Sequence, residues 1–318
     1  ASITKVIATT SAVMQLVEAN KLSLNDKVIT YLPAFKGKQK EYFNHKSRVT
    51  IRHLMTHTSG LPPFKKYFLM DNNIQTRLDS IMNTEPEIGL NEKTVYSDVG
   101  LIVLGKIIES VSLQSLDAFV DSVIFNPLGM KSTFYNPPND KIKRVVPTEF
   151  NDLYGDLIRG YVHDENAKSI GGVAGHAGLF STASDLAIFS QMMLNGGIYG
   201  WKRFFKSETV NDFTKKANVV EGSSRALGWD TPSGKASGGR YLSESSFGHT
   251  GFTGTSLWID PNNQLFVILL TNAVHPNRSY KDPNYYDWRQ KIHSSIYESL
   301  GINNMNNNLE WRERWQKN

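Results

Sequence analysis

Residues 2 to about 19 set the first constraint on the fold. Ile3, Val6, Ile7, Val13, Leu16 and Val17 recur at helical spacing, and apolar side chains cover most of the helix circumference. A helix that is apolar on nearly every side has no face to give to water. The rest of the chain must therefore wrap around it, which places this helix inside the core. A chain of 318 residues can do so as one large domain or two closely packed ones.

Further helices are predicted over 49–55, ended by Ser59-Gly60-Leu61-Pro62-Pro63, and over 100–111, 116–124 and 184–194, the last capped by Ser184 or Thr182. Residues 136–160 are rich in Pro, Asn and Asp and read as a long loop. The clearest strands come late: 256–259 and 264–270 flank the turn signal Asp260-Pro261-Asn262-Asn263. A C-terminal helix is expected over 284–300, with Tyr285, Tyr286, Trp288 and Trp311 packing that end. The Asn-rich stretch 303–308 reads as a mobile tail. The expected division is a domain over 1–302 and a tail over 303–318. Helices in the middle and antiparallel strands at the end predict an α+β fold.

Composition excludes several chemistries. There is no cysteine, which rules out disulfides, thiolate catalysis and Cys-bound zinc. Thirty-five basic residues face 30 acidic ones without a dense Lys/Arg block, so a nucleic-acid partner is not expected. No apolar run approaches the roughly 20 residues of a membrane span.

Three short motifs carry chemistry. The first is Ser2-Ile3-Thr4-Lys5. Residues three apart share a helix face, so hydroxyl and amine can meet. A serine alcohol needs a base to become a nucleophile, and a lysine of lowered pKa can serve. The helix start also favours a developing oxyanion. Alone the motif is weak, since about one S-x-x-K arises by chance at this length. The second is Tyr96-Ser97-Asp98, ahead of a helix; a phenol beside an ammonium can act as general base. The third is His249-Thr250-Gly251, just before the predicted hairpin, with Phe252 supplying a second oxyanion N–H. Glycines at 248, 251 and 254 let the backbone approach a ligand closely.

In order and spacing, these motifs resemble those of the serine β-lactamase-related and penicillin-binding protein family. The similarity is to the branch of class C β-lactamases, D-alanyl-D-alanine carboxypeptidases and family VIII esterases. It extends from residue 2 to about 300 and includes Leu54-Met55-Thr56-His57-Thr58-Ser59-Gly60-Leu61-Pro62, Asn126-Pro127-Leu128-Gly129-Met130 and the run from Gly178 to Leu186. The resemblance implies an α/β sandwich of the β-lactamase/transpeptidase-like type, an antiparallel sheet flanked by helices with the site between them. It implies acylation of Ser2, proton transfer by Lys5 and Tyr96, and an oxyanion hole from the Ser2 and Phe252 N–H groups. Asp98, His249, Thr250, Gly251 and Phe252 would bind substrate, a small molecule or a peptidoglycan peptide. No cofactor is implied, and the compartment would be periplasmic or extracellular.

Two departures bear on substrate. Asp98 stands where this branch has Asn, and an ionised carboxylate cannot donate to an amide carbonyl. His249 stands where β-lactamases have Lys. Both argue for carboxypeptidase or esterase activity over efficient β-lactam hydrolysis. An alternative is a non-hydrolysing cell-wall-binding domain of a larger glycosidase. Arg159 to Ala167 and Gly171 to Gly178 resemble a signature of cell-wall proteins, some fused behind a glycoside hydrolase family 3 domain. Within it, His163, Asp164 and His176 permit a metal site; a hydrogen-bonded loop bordering the active site is the preferred reading. His57 reads as structural, and His45, His53, His275 and His293 as surface or core residues. In the resembled family a helix and the first strands of the sheet precede the nucleophile. Only Ala1 does so here, so the N-terminal strands are expected to be missing and the chain to belong to a longer polypeptide.

Overall fold

The structure, a computed structural model, describes residues 1–37, 40–70, 73–151, 155–234, 238–280 and 285–309. The N-terminal helix is buried as its composition demands: Val6, Ile7, Ala8, Ala12, Val13 and Met14 are inaccessible to solvent. It is not uniform. Ser2 and Ile3 form a turn, Lys5–Thr10 is π-helical, and α1 (Ser11–Glu18) follows. The wide turn has a local partner, because the Ser11 hydroxyl donates to the Val6 carbonyl five residues back at 3.1 Å. Periodicity alone does not distinguish 3.6 from 4.4 residues per turn over so short a stretch.

Helices surround this one. α2 (Ile51–Met55) opens on a capping box in which Thr50 and His53 satisfy each other's backbone N–H. α3 (Asp98–Ser112) is capped by Ser97, whose Oγ accepts the Gly100 N–H at 3.0 Å. Its apolar face, including Leu101, Ile102, Leu104 and Ile108, is buried in the same core as Val6 and Ile7. α4 (Leu116–Val120) runs through a π-helical turn, Asp121–Phe125, toward Leu128. α5 (Glu165–Ser169) and α6 (Ala183–Leu194) complete this side, α6 being capped by Thr182 rather than Ser184.

The predicted hairpin forms within a three-stranded antiparallel sheet: β1 (Phe247–Thr250), β2 (Ser256–Asp260) and β3 (Leu265–Leu269), in the order β1-β2-β3. Trp258 sits opposite Gly248 on one side and Val267 on the other. Every residue of β2 is buried, because both faces are covered. Alternation sorts them: Leu257 and Ile259 join the central core, while Trp258 joins Tyr241, Leu242, Val267 and Tyr297 on the opposite face. That second face is roofed by α7 (Tyr285–Ser299), whose His293 meets Ser256 at 2.9 Å and whose Tyr297 donates to Asp260 at 2.9 Å. A Cβ on Gly248 would overlap the Trp258 ring, which explains glycine there.

The long loop of 136–160 contains one short antiparallel pair, Phe150–Asn151 with Asp156–Leu157. The Asn-rich stretch is pinned rather than loose. Asn306 donates its backbone N–H to Arg240 and its side chain to Leu242, and Asn308 donates its side chain to Glu244, each at 2.9 Å. Asparagine supplies donors that an apolar tail would lack, and here they cap free carbonyls. Trp288 is half exposed; Trp311 and the Tyr286 side chain lie outside the described residues. Among the described residues no single helix is long and apolar enough to cross a membrane.

Candidate active site

Ser2 lies at the open end of the buried helix and Lys5 one turn in. The Lys5 side chain is fully buried. Its Nζ donates to Ser2 Oγ at 2.8 Å and to the His176 carbonyl at 2.9 Å, and it forms an ion pair with Asp98 Oδ1 at 2.7 Å. Two hydrogen bonds and an ion pair thus hold the ammonium, with Tyr96 as a further neighbour. Burial alone would lower the Lys5 pKa, but the Asp98 carboxylate and Tyr96 outweigh it and hold it above the ordinary lysine value. These contacts place an ammonium against the Ser2 hydroxyl.

Tyr96 lies beside this pair. The Lys5 ammonium stands 5.0 Å from the centre of its ring. The segment of residues 57–63 clamps the Tyr96 motif from behind. Val95 N–H donates to His57 O, Ser97 N–H to His57 Nδ1, Ser97 Oγ to Pro62 O and Asp98 N–H to Pro63 O, at 2.7–3.1 Å. His57 packs its ring 4.6 Å from that of Tyr96 and is buried. Burial, then the charges of Arg225 and Lys5, push its pKa well below 6.5, so it is a neutral support.

The third motif ends β1. The His249 ring is buried 5.9 Å from that of Tyr96, with Nδ1 2.8 Å from the Thr250 carbonyl. Burial and the neighbouring Arg225 and Lys5 push its pKa well below 6.5. The chain then folds tightly, Gly251 N–H donating to Thr255 O at 2.7 Å and Gly254 N–H to Gly251 O at 3.0 Å. A Cβ on Gly251 would overlap the Thr255 hydroxyl. Phe252 is left half exposed at the tip. Ser2, Phe64, Asp98, His163 and Phe252 line one cavity of about 280 Å³.

The structure thus brings Ser2, Lys5 and Tyr96 together as expected, and sets Phe252 beside them. Asp98 and His249 also have partners within the protein. Asp98 spends a carboxylate oxygen on the buried Lys5 charge, and His249 presents a neutral ring packed behind Tyr96. Sequence reasoning missed Arg225, whose guanidinium lies 5.0 Å from the Tyr96 ring centre on an irregular segment with no motif. The Asp98 ion pair has a testable consequence. In Asp98→Asn the carboxylate no longer favours the charged amine, so the Lys5 pKa falls. The basic limb of kcat/KM against pH is expected to move to lower pH. A limb that stays put or moves up would remove Asp98 from this role.

The loop of residues 159–178 borders the site. Asp164 Oδ1 caps α5 through the Ala167 N–H at 2.8 Å and bonds His176 Nε2 at 2.8 Å. Burial would raise the Asp164 pKa; His176, the Ala167 N–H and Lys5 hold it well below the carboxylate range. His163 turns instead to Glu149, 2.7 Å away. The three candidate metal ligands therefore do not converge, and among the described residues no group of three such side chains could hold a metal ion. The loop meets α3 where glycine faces glycine: a Cβ on Gly175 would collide with the Leu101 carbonyl, and one on Gly105 would come within 3.1 Å of the Gly175 nitrogen. Thr9 Oγ1 ties the Gly175 carbonyl to the N-terminal helix at 2.6 Å.

Residues 1–291 match the family model described as Beta-lactamase. The chain belongs to the beta-lactamase family. A Salmonella typhi protein with the provisional name D-alanyl-D-alanine carboxypeptidase is 36% identical over 300 residues, covering 86% of this chain and 69% of the relative. Among solved structures, a penicillin-binding protein homologue from Caulobacter crescentus superposes with a TM-score of 0.71 at 17% identity, covering 94% of this chain and 82% of that one. EstCE1, a hydrolase with promiscuous acyltransferase activity, gives 0.66 at 18% identity, covering 92% and 84%. Membership in this family and the relative's name make the protein a serine hydrolase, and its helices and antiparallel sheet are those of the β-lactamase/transpeptidase-like fold.

Proposed function

We propose that the protein hydrolyses D-Ala-D-Ala-type peptides or small esters through an acyl-serine intermediate and turns over β-lactams weakly. The observation that carries this reading is the 2.8 Å contact between Ser2 Oγ and the buried Lys5, opening on a cavity that Ser2 lines. Ser2 attacks the substrate carbonyl, its proton passes to the Tyr96–Lys5 pair, and the pair returns a proton to the leaving group. The provisional name of the Salmonella typhi relative supports a peptide substrate. Ester hydrolysis is favoured as a second reading by the engagement of Asp98, which leaves no side-chain amide at that position to donate to a substrate amide carbonyl. Cell-wall peptides would place the protein in the periplasm or outside the cell.

A steady-state screen over short p-nitrophenyl esters, acyl-D-Ala-D-Ala peptides and nitrocefin tests this. Esters or peptides are expected to exceed nitrocefin in kcat/KM. A nitrocefin value near the diffusional ceiling, about 10⁸ M⁻¹s⁻¹, would overturn it, as would turnover of none of the three.

A further inference from the structure

Acylation as described leaves one well-built group unused. His163 lines the cavity of about 280 Å³ that holds Ser2, and also a neighbouring one of about 340 Å³. Its Nε2 lies 2.7 Å from Glu149 Oε2. Burial would raise the Glu149 pKa, but hydrogen bonds from Arg278 and His163 outweigh it and keep the carboxyl below its ordinary range. An ionised carboxylate only accepts, so the shared proton sits on Nε2. That leaves the lone pair on Nδ1, which no hydrogen bond engages among the described residues. Burial also draws the His163 pKa below 6.5, against the opposing pull of Glu149, so the ring is neutral at neutral pH.

The ring is held from several sides. Phe252 stacks on it with centroids 6.0 Å apart and planes at 25°. Arg278 fixes Glu149 through Nε contacts of 3.0 Å to both oxygens and spans to Glu165 at 2.6 Å. The charged groups facing His163 are thus Glu149, Arg278 and Glu165; Asp164, next in sequence, is committed to His176. His163 lines the same cavity as Ser2, and Lys5 and Tyr96 are not among its lining residues.

We propose that His163, oriented by Glu149, is the general base of deacylation. Its Nδ1 takes a proton from a water molecule as the water oxygen bonds to the carbonyl carbon of acyl-Ser2. The tetrahedral intermediate then expels Ser2 Oγ, which recovers a proton from the Tyr96–Lys5 pair. The carboxylic acid leaves, His163 gives its proton to solvent and the Tyr96–Lys5 pair takes one back from solvent, so every group returns to its starting state. The proposal rests on the acyl-serine reading above.

The test is pre-steady-state hydrolysis of p-nitrophenyl acetate by the 318-residue chain, with intact-mass analysis. His163→Gln is expected to release about one equivalent of p-nitrophenol at the wild-type rate, then turn over about 10²–10³-fold more slowly. Acetyl-Ser2 should accumulate. In Glu149→Gln, loss of the carboxylate lowers the His163 pKa, so the acid limb of kcat should move to lower pH. Labelling of Ser2 by a fluorophosphonate at the wild-type rate checks that each variant keeps its site. Unchanged turnover without acyl-enzyme, or loss of the burst together with turnover, would overturn the role. A wild-type chain that Ser2-directed reagents never label would sink the acyl-serine reading first, and this one with it.

Discussion

Ser2→Ala is expected to lower kcat/KM for every acyl substrate by on the order of 10⁵-fold, the scale seen when a catalytic serine is deleted. Ser2 is the aliphatic hydroxyl that Lys5 reaches, at 2.8 Å. The variant should fold. Lys5 keeps the His176 carbonyl and Asp98 as acceptors, and the lost hydrogen bond costs about 1 kcal/mol. Intact mass after a fluorophosphonate should show one adduct on the wild type, mapping to the peptide with Ser2, and none on the variant. Equal labelling of the two would move the nucleophile elsewhere.

The second large effect concerns the proton carriers. Lys5→Ala and Tyr96→Phe are each expected to lower kcat by about 10²–10⁴-fold, the range for a positioned acid–base group. Their combination should cost little more than the worse single change, because the two handle one proton between them. Lys5→Ala has a structural side effect that Tyr96→Phe lacks. It strands the Asp98 carboxylate, which is less than one quarter exposed, without its counter-charge. Thermal melts should therefore separate the two variants while single-turnover rates do not. Near-wild-type kcat in both would refute the assignment.

Much of this was legible in the residues. A hydroxyl and an amine three apart at the head of an apolar helix announce a buried contact, and the structure has it. The hairpin announced itself through its turn, and Thr182 through its capping chemistry. What was not legible is pairing at long range. Nothing in the sequence pairs Asp98 with Lys5, 93 positions earlier, yet the two lie 2.7 Å apart. Glu149 and Arg278 sit 129 residues apart, one inside a loop with no pattern and one beyond the last strand. Periodicity and spacing describe neighbours along the chain, and these contacts exist only because the loop folds back beside the sheet. The Asn-rich tail misled for the same reason: polarity signals solvent unless backbone carbonyls stand opposite.

The glycine pair where the 159–178 loop meets α3 has a further consequence. The carbonyl that accepts from Lys5 belongs to the residue after Gly175. A methyl group at Gly175 would press on the Leu101 carbonyl and lift the loop, and the adjacent carbonyl would travel with it. Directed evolution that hunts for altered reaction rates would thus find a tuning screw at a position with no side chain at all. Its thread is the distance between two backbones.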